Sequence, residues 1–235
     1  IHSKNIEEIV VTGTKSKTQI INETGNLTFI SNEEINFINP THPSNVLNRM
    51  PGVFISQGSG QEHLTSIRSP VLSGGAGAGS FLYLEDGIPL RSPGFSNVNG
   101  LMESNIEISE RTEVIRGPGS VLYGSNAVHG LVNVITEKEN ADYNNKLNIR
   151  AGRNKIFFKS STYKELESSN LLFNFLWKED NGYTNNYTEQ NSDKFDKPHY
   201  GQQKFLIRLN TEKNSKNYIF LLSGTNLNLS LIHIS

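Results

Sequence analysis

The chain has 235 residues, of which 35% are hydrophobic, and its 22 basic residues nearly balance its 23 acidic ones. This balance offers no basic surface for nucleic-acid phosphates, so we expect no nucleic-acid partner. Cysteine is absent, which excludes disulfides and thiolate chemistry, and the six histidines include no i, i+4 pair of the helical zinc-site type. We expect neither a bound metal nor a cofactor.

Residues 1–18 are predicted to be a flexible N-terminal segment with one strand-forming patch, "EEIVVTGT" at residues 7–14. Ile9, Val10 and Val11 in this patch are β-branched and favour an extended backbone. From the residues alone, the patch is either a tether that pairs with a partner or a frayed edge strand of the domain that follows.

The next segment, "LTFISNEEI", predicts a strand at Leu27–Ile30 followed by a helix. Ser31 and Glu34 have the spacing of a capping box, in which each side chain accepts a hydrogen bond from the other residue's backbone. Two prolines end this helix, and Ser44 is expected to cap a second short helix, "SNVLNRM".

From Val53 to Thr136 the chain consists of short strand-like runs separated by glycine or proline. The runs are "GVFISQ", "LTSIRS", "SFLYLEDG", "RTEVIRG" and "GLVNVIT". Ser120–Ala127 predicts a helical turn that stops at Gly124. Together these signals predict an α+β domain at residues 19–142, with a small mixed sheet and short helices.

Beyond residue 143 the pattern changes to strict alternation, which predicts about five antiparallel strands up to residue 229. In "NLLFNFLWK", for example, Leu171, Phe173 and Phe175 share one face and Asn174 lies on the other. Two structures have this period: a soluble sheet with one wet face, and the wall of an outer-membrane barrel that is apolar toward lipid and polar inside. The pattern alone favours neither.

Taken in order, these segments resemble the TonB-dependent outer-membrane receptors. "EEIVVTGT" is similar to the TonB box, and "LTFISNEEI", "PSNVLNRMPGVFISQGSG" and "SFLYLEDGIPL" follow in the family's order. "RTEVIRGPGSVLYGSNAVHGLVNVIT" is similar to the signature that closes the family's plug domain. The resemblance implies that 19–142 is a plug inside a barrel of about 22 strands, of which 143–229 supplies the first five.

The resemblance further implies import of a scarce ligand, such as a ferric siderophore or cobalamin, across the bacterial outer membrane. The plug gates the barrel, the N-terminus is periplasmic, and the partners are TonB with its inner-membrane motor, the ligand and outer-membrane lipid. Such a protein is not an enzyme. The alternative is a ligand-sensing receptor whose main output is a signal to a periplasmic regulator.

Site residues follow from the same motifs. The resemblance assigns TonB binding to Glu8, Ile9, Val10, Val11 and Thr12. Ligand binding is assigned to the loops after "PGV" and "DGxP", with Gln57, Ser59, Gln61, His63, Arg91, Phe95 and Asn97. The alternative for each of these is packing against the barrel wall. Plug–barrel contacts are assigned to Arg68, Arg111, Glu113 and Arg116. A catalytic role for Glu113 lacks a second carboxylate or base to assist it.

Two features depart from the family pattern. Ser69-Pro70 stands where the family usually has glycine, and the glycine-rich stretch at 71–80 lacks the lysine of a phosphate-binding loop. Five strands cannot close a barrel, so we expect the chain to be a truncated piece of a longer protein. Residues 230–235, "SLIHIS", resemble translated sequencing adapter.

Overall fold

The computed structural model describes residues 9–10, 12–15, 17–19, 26–57, 63–69, 80–90, 100–124, 126–136, 145–181 and 200–229. The chain separates into two compact units: the described residues up to Thr136 belong to the first and those from Asn145 onward belong to the second. Within these ranges no helix is long and apolar enough to cross a bilayer, a finding that has no bearing on strands.

The described part of the first unit contains nine strands, four short α-helices and a 3-10 turn at Ile106–Ile108. The strands are β1 Ile9–Val10, β2 Thr18–Gln19, β3 Leu27–Ser31, β4 Val53–Gln57, β5 His63–Ile67, β6 Phe81–Glu85, β7 Ile88–Pro89, β8 Arg111–Arg116 and β9 Gly130–Ile135. The helices are α1 Asn32–Ile38, α2 Ser44–Leu47, α3 Gly100–Glu103 and α4 Ser120–Tyr123.

Helix α1 begins with the predicted capping box. Ser31 Oγ accepts a hydrogen bond from the Glu34 N–H at 3.3 Å, and the Glu34 carboxylate accepts one from the Ser31 N–H at 3.0 Å. The prediction that Ser44 caps α2 is wrong. Pro43 holds the cap position with φ −54°, and Ser44 is the first helical residue. Because the proline ring already fixes φ near the helical value, the turn begins one residue earlier than the serine indicates.

The centre of the first unit is a five-stranded sheet in the order β3-β8-β9-β6-β7. Strands β6 and β9 run parallel and the other pairs are antiparallel, so the predicted mixed sheet is confirmed. Strands β4 and β5 form a separate antiparallel hairpin. The predicted helical turn before Gly124 is α4.

The two faces of this sheet carry different amounts of apolar packing. On one face the large core joins the sheet to the β4–β5 hairpin and helices α1 to α3, through buried residues such as Ile35, Leu47 and Leu101. On the other face a smaller cluster comprises Leu82, Leu84, Ala127 and Leu131, with Ile115 and Tyr123 packed against it.

The second unit is an antiparallel meander in which each strand pairs with the next along the chain. Its strands are β10 Asn145–Ala151, β11 Lys155–Leu166, β12 Ser169–Asp180, β13 Tyr200–Lys213 and β14 Lys216–Leu229. The structure thus describes five antiparallel strands in the range where about five were predicted. Four of them have 12 to 14 residues, which exceeds the roughly 9 to 11 that a tilted strand needs to cross a bilayer.

The buried face of β12 and β13 mixes polar side chains with buried leucines such as Leu176 and Leu206, and the opposite face carries exposed aromatic side chains. Asn174 and Lys204 are 3% and 0% exposed, whereas Phe173 and Phe205 on the opposite face are each 38% exposed. A soluble sheet with one wet face buries its apolar side. The observed arrangement, with polar side chains buried and aromatic ones outside, is that of a membrane-barrel wall.

Candidate functional site: docking of the N-terminal segment

The N-terminal segment forms a small antiparallel ribbon. Ile9 and Val10 in β1 pair with Gln19 and Thr18 in β2, and the chain turns between them at Thr12–Lys15. Two residues of the predicted TonB box therefore form a strand. Glu8 and Val11, also predicted to bind TonB, lie outside the described residues.

Thr12, the last of the five residues predicted to bind TonB, is fully buried and is bound through both its backbone and its side chain. Its N–H and its hydroxyl both donate to Glu113 Oε2, at 2.7 and 2.5 Å. Its hydroxyl oxygen accepts from Asn133 Nδ2 at 3.0 Å, and its carbonyl oxygen accepts from the Tyr123 hydroxyl at 2.9 Å. Four contacts from three residues thus hold one threonine.

The sheet brings these partners together through its register. Glu113 on β8 and Asn133 on β9 are directly opposite each other, so their side chains leave the same face, the one that carries the smaller apolar cluster. Asn133 Oδ1 accepts from the Gly87 N–H at 3.0 Å, an arrangement that turns the amide nitrogen toward Thr12. The three residues that bind Thr12, namely Glu113, Asn133 and Tyr123, are called the dock below. All of them lie more than 100 positions from Thr12 in the sequence.

A buried ion pair orients the carboxylate of the dock. Arg111 lies two residues before Glu113 on the same face of β8, and its Nε donates to Glu113 Oε1 at 2.6 Å. Both side chains are almost fully buried, so this charge-assisted bond lies out of bulk water. Arg111 occupies Oε1 and leaves Oε2 for the two donors of Thr12.

Tyr123 on α4 closes the other side of the dock. Burial, followed by the negative charge of Glu113, raises the pKa of Tyr123 to about 12. The phenol therefore keeps its proton at neutral pH and remains a donor to the Thr12 carbonyl. Lys15, three residues after Thr12, holds its ammonium 4.8 Å from the centroid of the Tyr123 ring, a cation–π contact.

The two remaining predicted plug–barrel residues lie on the exterior of the first unit. Arg68 is exposed, and Arg116 is half-buried and donates from Nη1 to the Pro51 carbonyl at 2.9 Å. Desolvation, followed by the charge of Arg68, lowers the pKa of Arg116. Arg68 and Arg116 therefore form a pair of neighbouring like charges, whereas Arg111 and Glu113 pair with each other.

Of the predicted ligand-binding residues, Gln57 and His63 are described and lie opposite each other at the end of the β4–β5 hairpin. His63 stacks edge to face with His42 at 6.0 Å between ring centroids, and Gln57 Oε1 accepts from Ser44 Oγ at 3.3 Å. Ser59, Gln61, Arg91, Phe95 and Asn97 lie outside the described residues. The part of the chain that the structure describes contains no cluster of three or more His, Cys, Asp or Glu that could hold a metal ion.

Sequence reasoning missed Asn133 and Tyr123 as members of the dock. A signal for Asn133 exists: it interrupts the run "GLVNVI" of β9, and every residue of that strand is buried. A lone amide in a fully buried strand requires hydrogen-bond partners. No comparable signal marks Tyr123, which stands on a one-turn helix with no buried residue.

Comparison with known proteins agrees with this architecture. Residues 19–131 match the family model of the TonB-dependent receptor plug domain. The chain is 31% identical over 157 residues to the vitamin B12 transporter BtuB of Vibrio vulnificus (strain CMCP6), an alignment that covers 65% of this chain and 25% of that protein. The chain thus spans about a quarter of the length of this curated relative.

Solved structures of the same kind share the fold. The ferripyoverdine receptor of the Pseudomonas aeruginosa outer membrane, bound to ferripyoverdine, matches 92% of this chain and 27% of its own, at 16% identity and a TM-score of 0.69. The open form of the ferric-catecholate import receptor Fiu from E. coli K12 matches 92% of this chain and 29% of its own, at 16% identity and a TM-score of 0.63. Residues 19–131 therefore belong to the plug-domain family of the TonB-dependent receptors, and the antiparallel strands that follow resemble the start of the barrel of such a receptor.

Proposed function

We propose that this protein imports a scarce ligand across the bacterial outer membrane, with energy delivered by TonB and its inner-membrane motor. The observation that carries the proposal is the short strand at Ile9–Val10, which is followed by the buried residue Thr12 that the plug sheet binds. TonB-dependent receptors are transporters and not enzymes, and the buried carboxylate Glu113 has a docking role that requires no catalysis.

In this proposal TonB binds the segment Glu8–Thr12 by adding a strand to it. In the two-stranded ribbon, β1 uses one edge to pair with β2. A partner strand would either use the other edge of β1 or replace β2, and main-chain hydrogen bonds would supply most of the affinity. Specificity would depend on few side chains.

The second unit supports a location in the outer membrane. Its strands are long enough to cross a bilayer, and the exposed face of β12 and β13 carries aromatic residues such as Phe173 and Phe205. We propose that the plug, residues 19–142, gates the barrel that begins at 143–229. Its contacts with the barrel would use Arg68 and Arg116, together with the buried pair Arg111 and Glu113.

The proposed ligand is a ferric siderophore or cobalamin, because the similar proteins include a vitamin B12 transporter and receptors for ferripyoverdine and ferric catecholates. Gln57, Ser59, Gln61 and His63 would contact it from one loop. Arg91, Phe95 and Asn97 would supply a donor fork, a stacking face and an amide from another.

The test of strand addition compares two substitutions at one position in the complete gene product, produced in its own host. Val10→Pro removes a backbone donor and fixes φ, whereas Val10→Ala keeps the backbone intact. We expect uptake of radiolabelled ligand to be lost in Val10→Pro and largely retained in Val10→Ala, at equal receptor levels in the outer membrane. Uptake by Val10→Pro at the wild-type rate would show that strand addition is wrong.

The ligand class is tested with a deletion strain. Growth under iron limitation with a panel of ferric siderophores distinguishes an iron importer, and growth of a cobalamin-requiring strain on nanomolar cobalamin distinguishes a vitamin importer. The ligand class is identified if the deletion strain fails to grow in one of these two tests and reintroduction of the gene restores its growth. Unimpaired growth in both arms contradicts both proposed ligands.

A further inference from the structure

We propose that Lys213 and Lys216, which flank the turn between β13 and β14, bind the phosphate of an anionic phospholipid headgroup. This lipid site rests on the proposed membrane location of the second unit. It goes beyond that location, because a wall that faces lipid does not by itself distinguish one headgroup from another.

The turn places the two lysines side by side. Lys213 and Lys216 are directly opposite each other in the register of β13 with β14. The two residues between them, Asn214 and Ser215, both have positive φ, at 54° and 58°. This is the backbone of a two-residue hairpin turn whose twist matches that of its strands. Because residues directly opposite each other project from the same face, both ammonium groups leave the sheet on one side.

Both lysines lie on the aromatic face of the second unit. Successive side chains of a strand alternate between its two faces, so Lys213 shares the face of Phe205 in β13. In β14, Lys216 shares the face of Tyr218 and Phe220 in the same way. Phe205, Tyr218 and Phe220 are 38%, 52% and 57% exposed. In the proposed barrel this face meets lipid, and the lysines lie beyond its aromatic side chains, at the end of the sheet.

The acidic residues in the ends of these strands lie on the opposite face. In β13, Glu212 precedes Lys213 and therefore projects from the polar face. In β11, Glu165 projects from the polar face and Lys164 from the aromatic one. Within the described part of the chain, the side chains of Lys213 and Lys216 have no acidic partner. Like charges directly opposite each other destabilise a sheet, so an anion bound between the two ammonium groups would offset their repulsion.

A lipid phosphate is the anion that fits this place. Lysine binds phosphate oxygens as a point charge with three donors. Tyr218, two residues after Lys216 on the same face, brings a hydroxyl to the boundary between apolar and polar surroundings. The turn is only two residues long, and the short turns of membrane barrels lie on the periplasmic side. The headgroup therefore belongs to the periplasmic leaflet, where anionic lipid attracts exposed lysines.

The test replaces the lysines in the complete receptor. Lys213→Gln and Lys216→Gln, alone and together, remove the charges and keep most of the length of each side chain. Lys146→Gln is the matched control. Lys146 is an exposed lysine of the same unit, but it is opposite the buried Ser161 and lies with it on the polar face.

The absence of cysteine in this chain allows a single bimane label at Thr211→Cys to report on the lipid around the turn. Thr211 is opposite Tyr218 on the aromatic face, two residues before Lys213. The measurement is quenching of the label in mixed vesicles of phosphatidylglycerol and phosphatidylcholine, with one or the other lipid brominated and any other cysteine replaced by serine. The ratio of the two quenching efficiencies gives the local preference for the anionic lipid.

We expect the label in the wild type to be quenched preferentially by phosphatidylglycerol. The double variant should lower this preference at least about fivefold, the factor that one lysine contributes at an anionic membrane surface. Each single variant should lower it less, and Lys146→Gln should leave it unchanged. Because salt screens exposed charges, added salt should reduce the preference of the wild type and leave that of the double variant unchanged.

The outcomes separate the lipid site from the proposed membrane location. Quenching by both lipids, with the same preference in the wild type and the double variant, overturns the lipid site and leaves the location standing. If the double variant does not insert, an unchanged preference in both single variants overturns the site. Absence of quenching by either lipid contradicts the membrane location of this face, and the lipid site with it.

Discussion

A charged residue at Phe205 tests whether the second unit faces lipid. Phe205 lies in the middle of β13, opposite Phe175 on β12 and Gly224 on β14. Its ring covers Gly224 so closely that a Cβ added there would lie 2.5 Å from Phe205 Cε1. The side chain is nevertheless 38% exposed, which places it at the surface of the strand.

The expected cost follows from the environment of that surface. In lipid, an arginine near the bilayer midplane costs about 2 to 4 kcal/mol, and near the interface about 0 to 1 kcal/mol. In water, a surface substitution usually changes stability by no more than about 0.5 kcal/mol. Phe205→Arg should therefore reduce the ratio of folded to unfolded receptor by about 30-fold or more, since about 1.4 kcal/mol corresponds to tenfold.

Two further variants isolate the effect. Thr211→Arg puts the same charge on the same face near the end of β13, where we expect a cost of at most about 1 kcal/mol. Phe205→Ala measures the loss of the ring without a charge. The assay is urea unfolding of the complete receptor in phosphatidylcholine vesicles, followed by its heat-modifiable band. Equal midpoints for Phe205→Arg and Thr211→Arg would refute the barrel-wall interpretation.

Three smaller predictions concern the plug. Gly130→Ala should lower the free energy of unfolding by about 1 to 3 kcal/mol, because the added Cβ would lie 2.7 Å from the Ile115 carbonyl oxygen. Thermal denaturation measures this loss of stability. Ser31→Ala removes the capping box and should cost about 1 kcal/mol in the same assay. Arg91→Glu should weaken ligand binding, measured by isothermal titration calorimetry, at least about tenfold. The control Arg49→Glu, at an exposed position, should leave the affinity unchanged. Equal affinities of Arg91→Glu and the wild type would show that Arg91 is not part of the ligand site.

Local signals in the sequence were sufficient for most of the longer helices and strands. The reciprocal bonds of Ser31 and Glu34 depend on residues three apart, so their spacing alone predicts where α1 begins. The error at Ser44 came from assigning the cap to a serine where the preceding proline already sets the helical φ. The short elements α3, β2 and β7 were not predicted. Strand positions in the first unit were likewise predictable, because glycine or proline lies near at least one end of each predicted run. In the second unit they were predictable from the alternation.

Strand order was not predictable from local signals. In the sheet, β9 lies between β6 and β8 and runs parallel to β6. Nothing in the runs "SFLYLEDG" or "GLVNVIT" specifies which strand each of them pairs with. The same limit applied to the second unit, where alternation has the same period in a soluble sheet and in a barrel wall. The choice depends on which face is buried, and the burial of Lys204 opposite the exposed Phe205 is a tertiary fact.

Glu113 shows how far motif reasoning reaches and where it stops. The resemblance assigned it to plug–barrel contacts, and its position in the plug signature offered no reason to connect it with residue 12. The contact spans 101 positions and depends on three independent placements: the register of β8 with β9, the turn after β1, and the helix that carries Tyr123. Each placement is weakly encoded on its own, yet together they satisfy every polar atom of Thr12. Since a buried polar group without partners is costly, the complete match is itself evidence that the docked position is a specific state of the segment.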